Sequence, residues 1–310
     1  MVLVCAALLI AVAACARAPS GGNARSAAAT PAQAVRQLTM HLRDGDLAAF
    51  ARAAVPPPLH ARLDTAWRAG TTRWPLDALP LSAQLPQAMA TLAAADAEKT
   101  LQRSFDRQFA GAAGELKNTA TTLGLFGVQY VRNEADFSAE ERAHYAQLVT
   151  AVSGWAQAAP LSDRDRARAT IATLTAAARR TGLTSDADFA RAGIDASLRR
   201  LQPFVIAFKQ ALVGYGLDVD TGLGGLDATL QSQTGDNARV RMRYRIGDTA
   251  IDTVVAVERI GGRWYVSDHL RAAEAAAART AAPNQLPATA SPSPSPPTTP
   301  AAPQASRAGR

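Results

Sequence analysis

The spacing of apolar residues changes once along this chain, and that change constrains the fold more than any other feature. Up to about Gly216 apolar residues recur every three or four positions, and from Gly225 they recur every second one. Side chains share a helix face at a period of about 3.6 residues and a strand face at 2. The pattern therefore predicts an α+β chain: a mainly helical body over residues 31–216, and a C-terminal antiparallel β-meander with a closing helix over residues 217–279, packed on that body.

The helical half carries its own punctuation. Pro31 follows Thr30 as a first-turn proline does, and two short helices, 34–42 and 47–54, are separated by Asp44-Gly45-Asp46. Ser138 with Glu141, Ser162 with Asp165 and Ser185 with Asp188 have the spacing of capping boxes. They open amphipathic stripes, one through Tyr145, Leu148, Val152 and Trp155, the other through Ile194, Leu198, Leu201, Val205, Phe208 and Leu212. Pro203 lies inside the second stripe and predicts a kink or a break of the helix there. Gly222-Leu223-Gly224-Gly225 lacks a phosphate-binding lysine and reads as a linker.

In the second half, residues 239–246 alternate without a slip, Gly247-Asp248 is a two-residue hairpin signal, and 249–258 supply the return strand. Gly261-Gly262 turns into a further strand at 263–267, and 226–232 completes a four-stranded meander. Counting back from the turn sets Arg243 opposite Asp252. One face then carries Val240, Met242, Tyr244, Ile246, Ile251, Val255 and Val257; the other carries Arg239, Arg241, Arg243 and Arg245 with Asp252 and Glu258.

The termini read differently from the body. Residues 2–16 form one uncharged apolar run of 15 residues, too short for a membrane-spanning helix, which needs about 20, but long enough for a secretory signal. The run ends in Val12-Ala13-Ala14-Cys15, which resembles the bacterial lipobox. The resemblance implies removal of residues 1–14 and diacylation of Cys15. The product would be a cell-envelope lipoprotein, and Ala16 after the cysteine implies the outer membrane, facing the periplasm. Ala16-Arg17-Ala18 also fits ordinary cleavage, which would yield a soluble secreted or periplasmic protein. Residues 15–30 read as a flexible tether, and 280–310, with eight prolines among Ala, Ser and Thr, as a disordered tail. Cys5 and Cys15 are the only cysteines, so the body offers no thiolate nucleophile or ligand.

Little in the sequence points to chemistry. The 33 Lys and Arg against 26 Asp and Glu give a formal charge of +7, moderate for a nucleic-acid binder, and export would remove the chain from nucleic acid. His41, His60, His144 and His269 show no paired metal-ligand spacing, so no metal is expected, and no cofactor or nucleophile motif occurs. The arginines at 239, 241, 243 and 245 stand out, because a period of 2 projects four guanidiniums from one sheet face, where they can grip carboxylate or phosphate. They are the candidate contact to an envelope protein or an anionic cell-wall partner.

Residues 34–58, two short helices about Asp-Gly-Asp and then Val55-Pro56-Pro57-Pro58, resemble the opening of NTF2-like, or cystatin-like, α+β domains. Residues 254–268, with Gly261-Gly262-Arg263-Trp264-Tyr265-Val266, resemble their last hairpin. The resemblance implies an NTF2-like fold with a large helical insertion. It also implies a cone whose mouth Tyr265, Asp268 and His269 would line as general acid/base candidates. Two functions follow as expectations: a non-enzymatic binding or assembly module at the membrane, or an NTF2-like hydrolase or isomerase acting on a small molecule in the periplasm.

Overall fold

A computed structural model describes residues 28–79 and 82–279. Thr30 caps the first helix, α1 (Pro31–Arg43), in a complete capping box with Gln33. Asp46 caps α2 (Leu47–Ala54) by accepting the Ala49 amide at 2.8 Å. The Asp-Gly-Asp break thus does what its composition predicts, with Gly45 at φ 66° between the two helices. Extended Val55 and Pro56 lead into α3 (Pro57–Arg68). Two 3₁₀ turns (Leu76–Ala78, Ser82–Gln84) precede α4 (Leu85–Ala93), α5 (Ala97–Gln108), α6 (Ala113–Asn133), α7 (Ala139–Ala158), α8 (Arg164–Thr181), α9 (Asp186–Gly214) and α10 (Val219–Gly224). No described helix is long and apolar enough to cross a membrane.

Three local expectations need correction. The cap of α8 is Asp163, not Ser162, and its carboxylate accepts the Arg166 amide at 3.0 Å, where a negative charge also favours a helix N-terminus. The break in α9 falls at Gly193, ten residues before Pro203. Gly193 adopts φ 75°, ψ 175°, a conformation essentially confined to glycine, and Asp64 of α3 accepts the Ile194 amide at 2.9 Å, capping the second half from another helix. That half then runs through Pro203 and buries Phe204 in place of Val205. The expected linker at 222–225 is largely α10, capped by Asp218; Gly222 lets it lie on β2, for a Cβ there would stand 2.0 Å from the Arg245 carbonyl oxygen.

The four strands, β1 (Asp227–Thr234), β2 (Asn237–Ile246), β3 (Thr249–Ile260) and β4 (Arg263–Val266), form an antiparallel sheet in sequence order. Arg243 pairs with Asp252 across β2 and β3, the register counted from Gly247-Asp248. A bulge between Leu230 and Ser232 shifts β1 on β2. The last helix is α11 (Ser267–Ala278).

Alternation gives the sheet one buried and one wet face. Val240, Tyr244, Ile246, Ile251 and Val257 are buried, whereas all four arginines of β2 are exposed. Ala228, Ala238, Val240 and Val257 join a core built from α1, α2, α3, α8, the middle of α9 and α11. Tyr244, Ile246 and Ile251 join a second cluster with Ala151 of α7, Leu212 of α9 and Leu217, Val219 and Leu223 around α10. Met242 and Leu226 pack against both. Antiparallel α6 lies against α7, where Ser153 donates to the Ala120 carbonyl at 2.9 Å, and leaves Leu125, Phe126 and Tyr130 exposed.

Candidate functional site

Each guanidinium of the arginine face already has a partner within the chain. Arg239 bonds Glu140 of α7 at 2.7 Å, Arg241 grips Asp252 through two bonds of 2.9 and 2.5 Å, Arg243 bonds Asp227 at 2.6 Å, and Arg245 bonds the Asp248 carbonyl. Although Arg243 and Asp252 are directly opposite, the ion pair runs on the diagonal from Arg241. Arg243 turns instead to Asp227, its opposite number on β1, since a central strand offers long side chains partners on both sides. The Arg241 hydrogen bonds hold the Asp252 carboxyl below its ordinary value, and Asp252 in turn raises Arg241.

Tyr265, Asp268 and His269 take up three different environments. Tyr265 is buried on β4. Asp268 opens α11 and pairs with Arg271 at 3.0 Å; burial and the neighbouring Glu141 raise its pKa. Arg271 also reaches Glu141 at 2.5 Å, and Glu141 is the buried carboxylate that completes the Ser138 capping box of α7. His269 stands edge-on to Phe50, ring centroids 5.3 Å apart, and burial pulls its pKa down to about 4 against the attraction of Glu141. No hydrogen bond joins these three residues, and the acid/base dyad they were expected to form is not assembled.

A contact that sequence reasoning missed lies beside them. His144 of α7 approaches the Tyr244 hydroxyl of β2 at 2.7 Å through Nε2. Desolvation lowers His144 to about 4 and raises Tyr244, while neighbouring Tyr145 is pushed up to about 12, again by burial first. Tyr244 was legible as a core position, but no spacing rule links it to a histidine 100 residues away. Among the described residues no group of three or more His, Cys, Asp or Glu side chains is placed to hold a metal ion.

Tyr265 does line an open groove of about 370 Å³ between α1, α2 and β4. Gln37, His41, Arg52, Arg263 and Trp264 are its other polar or aromatic walls, over a floor of alanine and Leu38. Asp268 and His269 are not part of that lining. The groove starts where the described chain starts: Ala28 lines it and accepts the Trp264 amide at 3.3 Å.

No family model, curated protein or solved structure matches this chain. Its chemistry therefore has to be read from its own residues. Cys15, the expected lipid attachment residue, lies outside the described residues, as do the signal segment, most of the expected tether and the expected tail.

Proposed function

We propose that the chain is a cell-envelope lipoprotein, anchored through Cys15 in the outer membrane with its body in the periplasm, and that it is a non-enzymatic binding or assembly module. The observation that carries the binding reading is the wet face of the sheet, where four exposed guanidiniums follow one another at every second residue of β2. Exposed ion pairs contribute little net stability, so carboxylates or phosphates of a partner can replace Asp227 or Asp252 at small cost. The paired acids also make the face selective, since an approaching anion must present its charges at the same two-residue pitch. The anchor reading rests on the apolar run and on Val12-Ala13-Ala14-Cys15.

Two measurements test these parts separately. Cross-linking in isolated envelopes should give a specific partner band that the double variant Arg241→Glu, Arg243→Glu loses; an unchanged band would refute the arginine face. Intact mass of membrane-extracted protein should show a diacylglyceryl increment that Cys15→Ser lacks. A lipid-free chain beginning near Pro19 would assign it to ordinary secretion instead. The groove beside Tyr265 favours the second reading, an NTF2-like hydrolase or isomerase of small molecules. For that reading, Tyr265→Phe should keep its fold and lose an activity shown by wild type, since Tyr265, unlike Asp268 and His269, lines the groove.

A further inference from the structure

The groove between α1, α2 and β4 is lined by two polar side chains, Tyr265 and Arg263, that pair with no other described residue. Tyr265 is only 4% exposed, yet among the described residues its hydroxyl has no hydrogen-bond partner, and it is not among the atoms sealed from solvent. A buried phenol ordinarily finds a partner, as buried polar groups do generally. The indole nitrogens of Trp67 and Trp155 show the usual outcome, each donating to a carbonyl at 2.9 Å. Arg263 on the rim has no acidic partner among the described residues, whereas Arg239, Arg241, Arg243 and Arg259 nearby in the sheet each have one.

Arg52 reinforces the same charge. It bonds Asp195 at 3.0 Å, but Asp195 also has His60 at 3.4 Å and Arg199 at 3.9 Å. The Arg199 guanidinium stays beside that carboxylate if Arg52 swings toward the groove. The floor beneath these groups, Ala34, Leu38, Ala49 and Ala53, is apolar, and Trp264 supplies an aromatic wall. A site of about 370 Å³ is at the small end of ligand pockets.

We infer that this groove binds a small amphipathic carboxylate, its head between Arg263, Arg52 and the Tyr265 hydroxyl and its apolar body on the alanine floor beside Trp264. This site lies apart from the arginine face of β2, so it goes beyond the binding-module reading, and it does not depend on the lipid anchor.

The test is calorimetric titration of the full-length Cys15→Ser chain with octanoate, and with octylamine as the chain-matched cation. Octanoate should bind saturably at one site and octylamine should not. Arg263→Ala, at an exposed position, should keep the fold and weaken octanoate about tenfold, as expected for a lost charge-assisted bond. Tyr265→Phe should weaken it about fivefold with an unchanged melting temperature, the loss expected of one hydroxyl bond. Phe126→Ser, on the exposed side of α6, should leave it unaltered. Absence of saturable octanoate binding, equal binding of octylamine, or full affinity in Arg263→Ala would each overturn the inference. None of these outcomes bears on the mass increment at Cys15, so failure of the ligand site and failure of the anchor remain distinguishable.

Discussion

His144 and His269 are held neutral by burial, both with a pKa near 4 against an ordinary 6.5. In the unfolded chain each takes up a proton at about 6.5, so below that pH the unfolded state binds more protons than the folded one. Their contribution to stability is complete above pH 6.5, declines as pH falls toward 4, and changes no further once the folded imidazoles also protonate. Asp268 acts in the opposite sense, because its raised pKa lets the folded state accept a proton early. Thermal melts between pH 7 and pH 4 should lose on the order of 3 kcal/mol per histidine. His144→Gln preserves a hydrogen-bonding group for Tyr244 and removes the titration, so its melting temperature should fall less over that range. An identical pH profile in wild type and His144→Gln would rule this account out.

At the scale of elements, the informative feature is an edge. β4 pairs only with residues 257–260 of β3, which leaves the first part of β3 without a strand neighbour on that side. An open edge is a template for association with another chain. Here α7 closes it: the Gln147 side-chain amide donates to the Asp252 carbonyl at 3.0 Å and its oxygen accepts the Asp252 amide at 3.0 Å, the two bonds that a neighbouring strand would make. Gln147→Ala should cost about 1 kcal/mol, since water replaces much of what is lost. It should also free the Asp252 amide to hydrogen exchange and introduce concentration-dependent association in sedimentation. Unaltered exchange at Asp252 would mean that α7 does not guard the edge. The strands, their register and the hairpin turn were legible because glycine positions and alternation are local signals. The guard was not, because glutamine in a helix carries no sign of the strand it meets.

For the body as a whole, the sheet joins two apolar clusters. Met242 and Leu226 touch both, so neither cluster is separable from the other. Met242→Ala should destabilise by about 2–4 kcal/mol, the usual range for a large-to-small change in a core. Hydrogen exchange should then accelerate together in α1, from the first cluster, and in α10, from the second. Acceleration confined to one would show two independently unfolding parts. The Arg62–Glu274 and Arg279–Asp77 pairs, each at 3.0 Å, tie α11 back to the helical layer, but both are exposed and add little to this coupling.

Residue spacing alone determined the α+β class, the helical body, the four-stranded meander, the Arg243–Asp252 register and the separation of arginine and apolar faces, because each depends on neighbours within a few positions or on one tight turn. Tertiary structure decided which acid each arginine holds, that α9 breaks at Gly193 where Asp64 supplies a cap, that His144 meets Tyr244, and that Tyr265 faces a groove while Asp268 and His269 turn elsewhere. These are contacts between segments tens to more than a hundred residues apart. Only packing, which maximises apolar burial while satisfying each buried polar group, selects among the many pairings that local pattern leaves open.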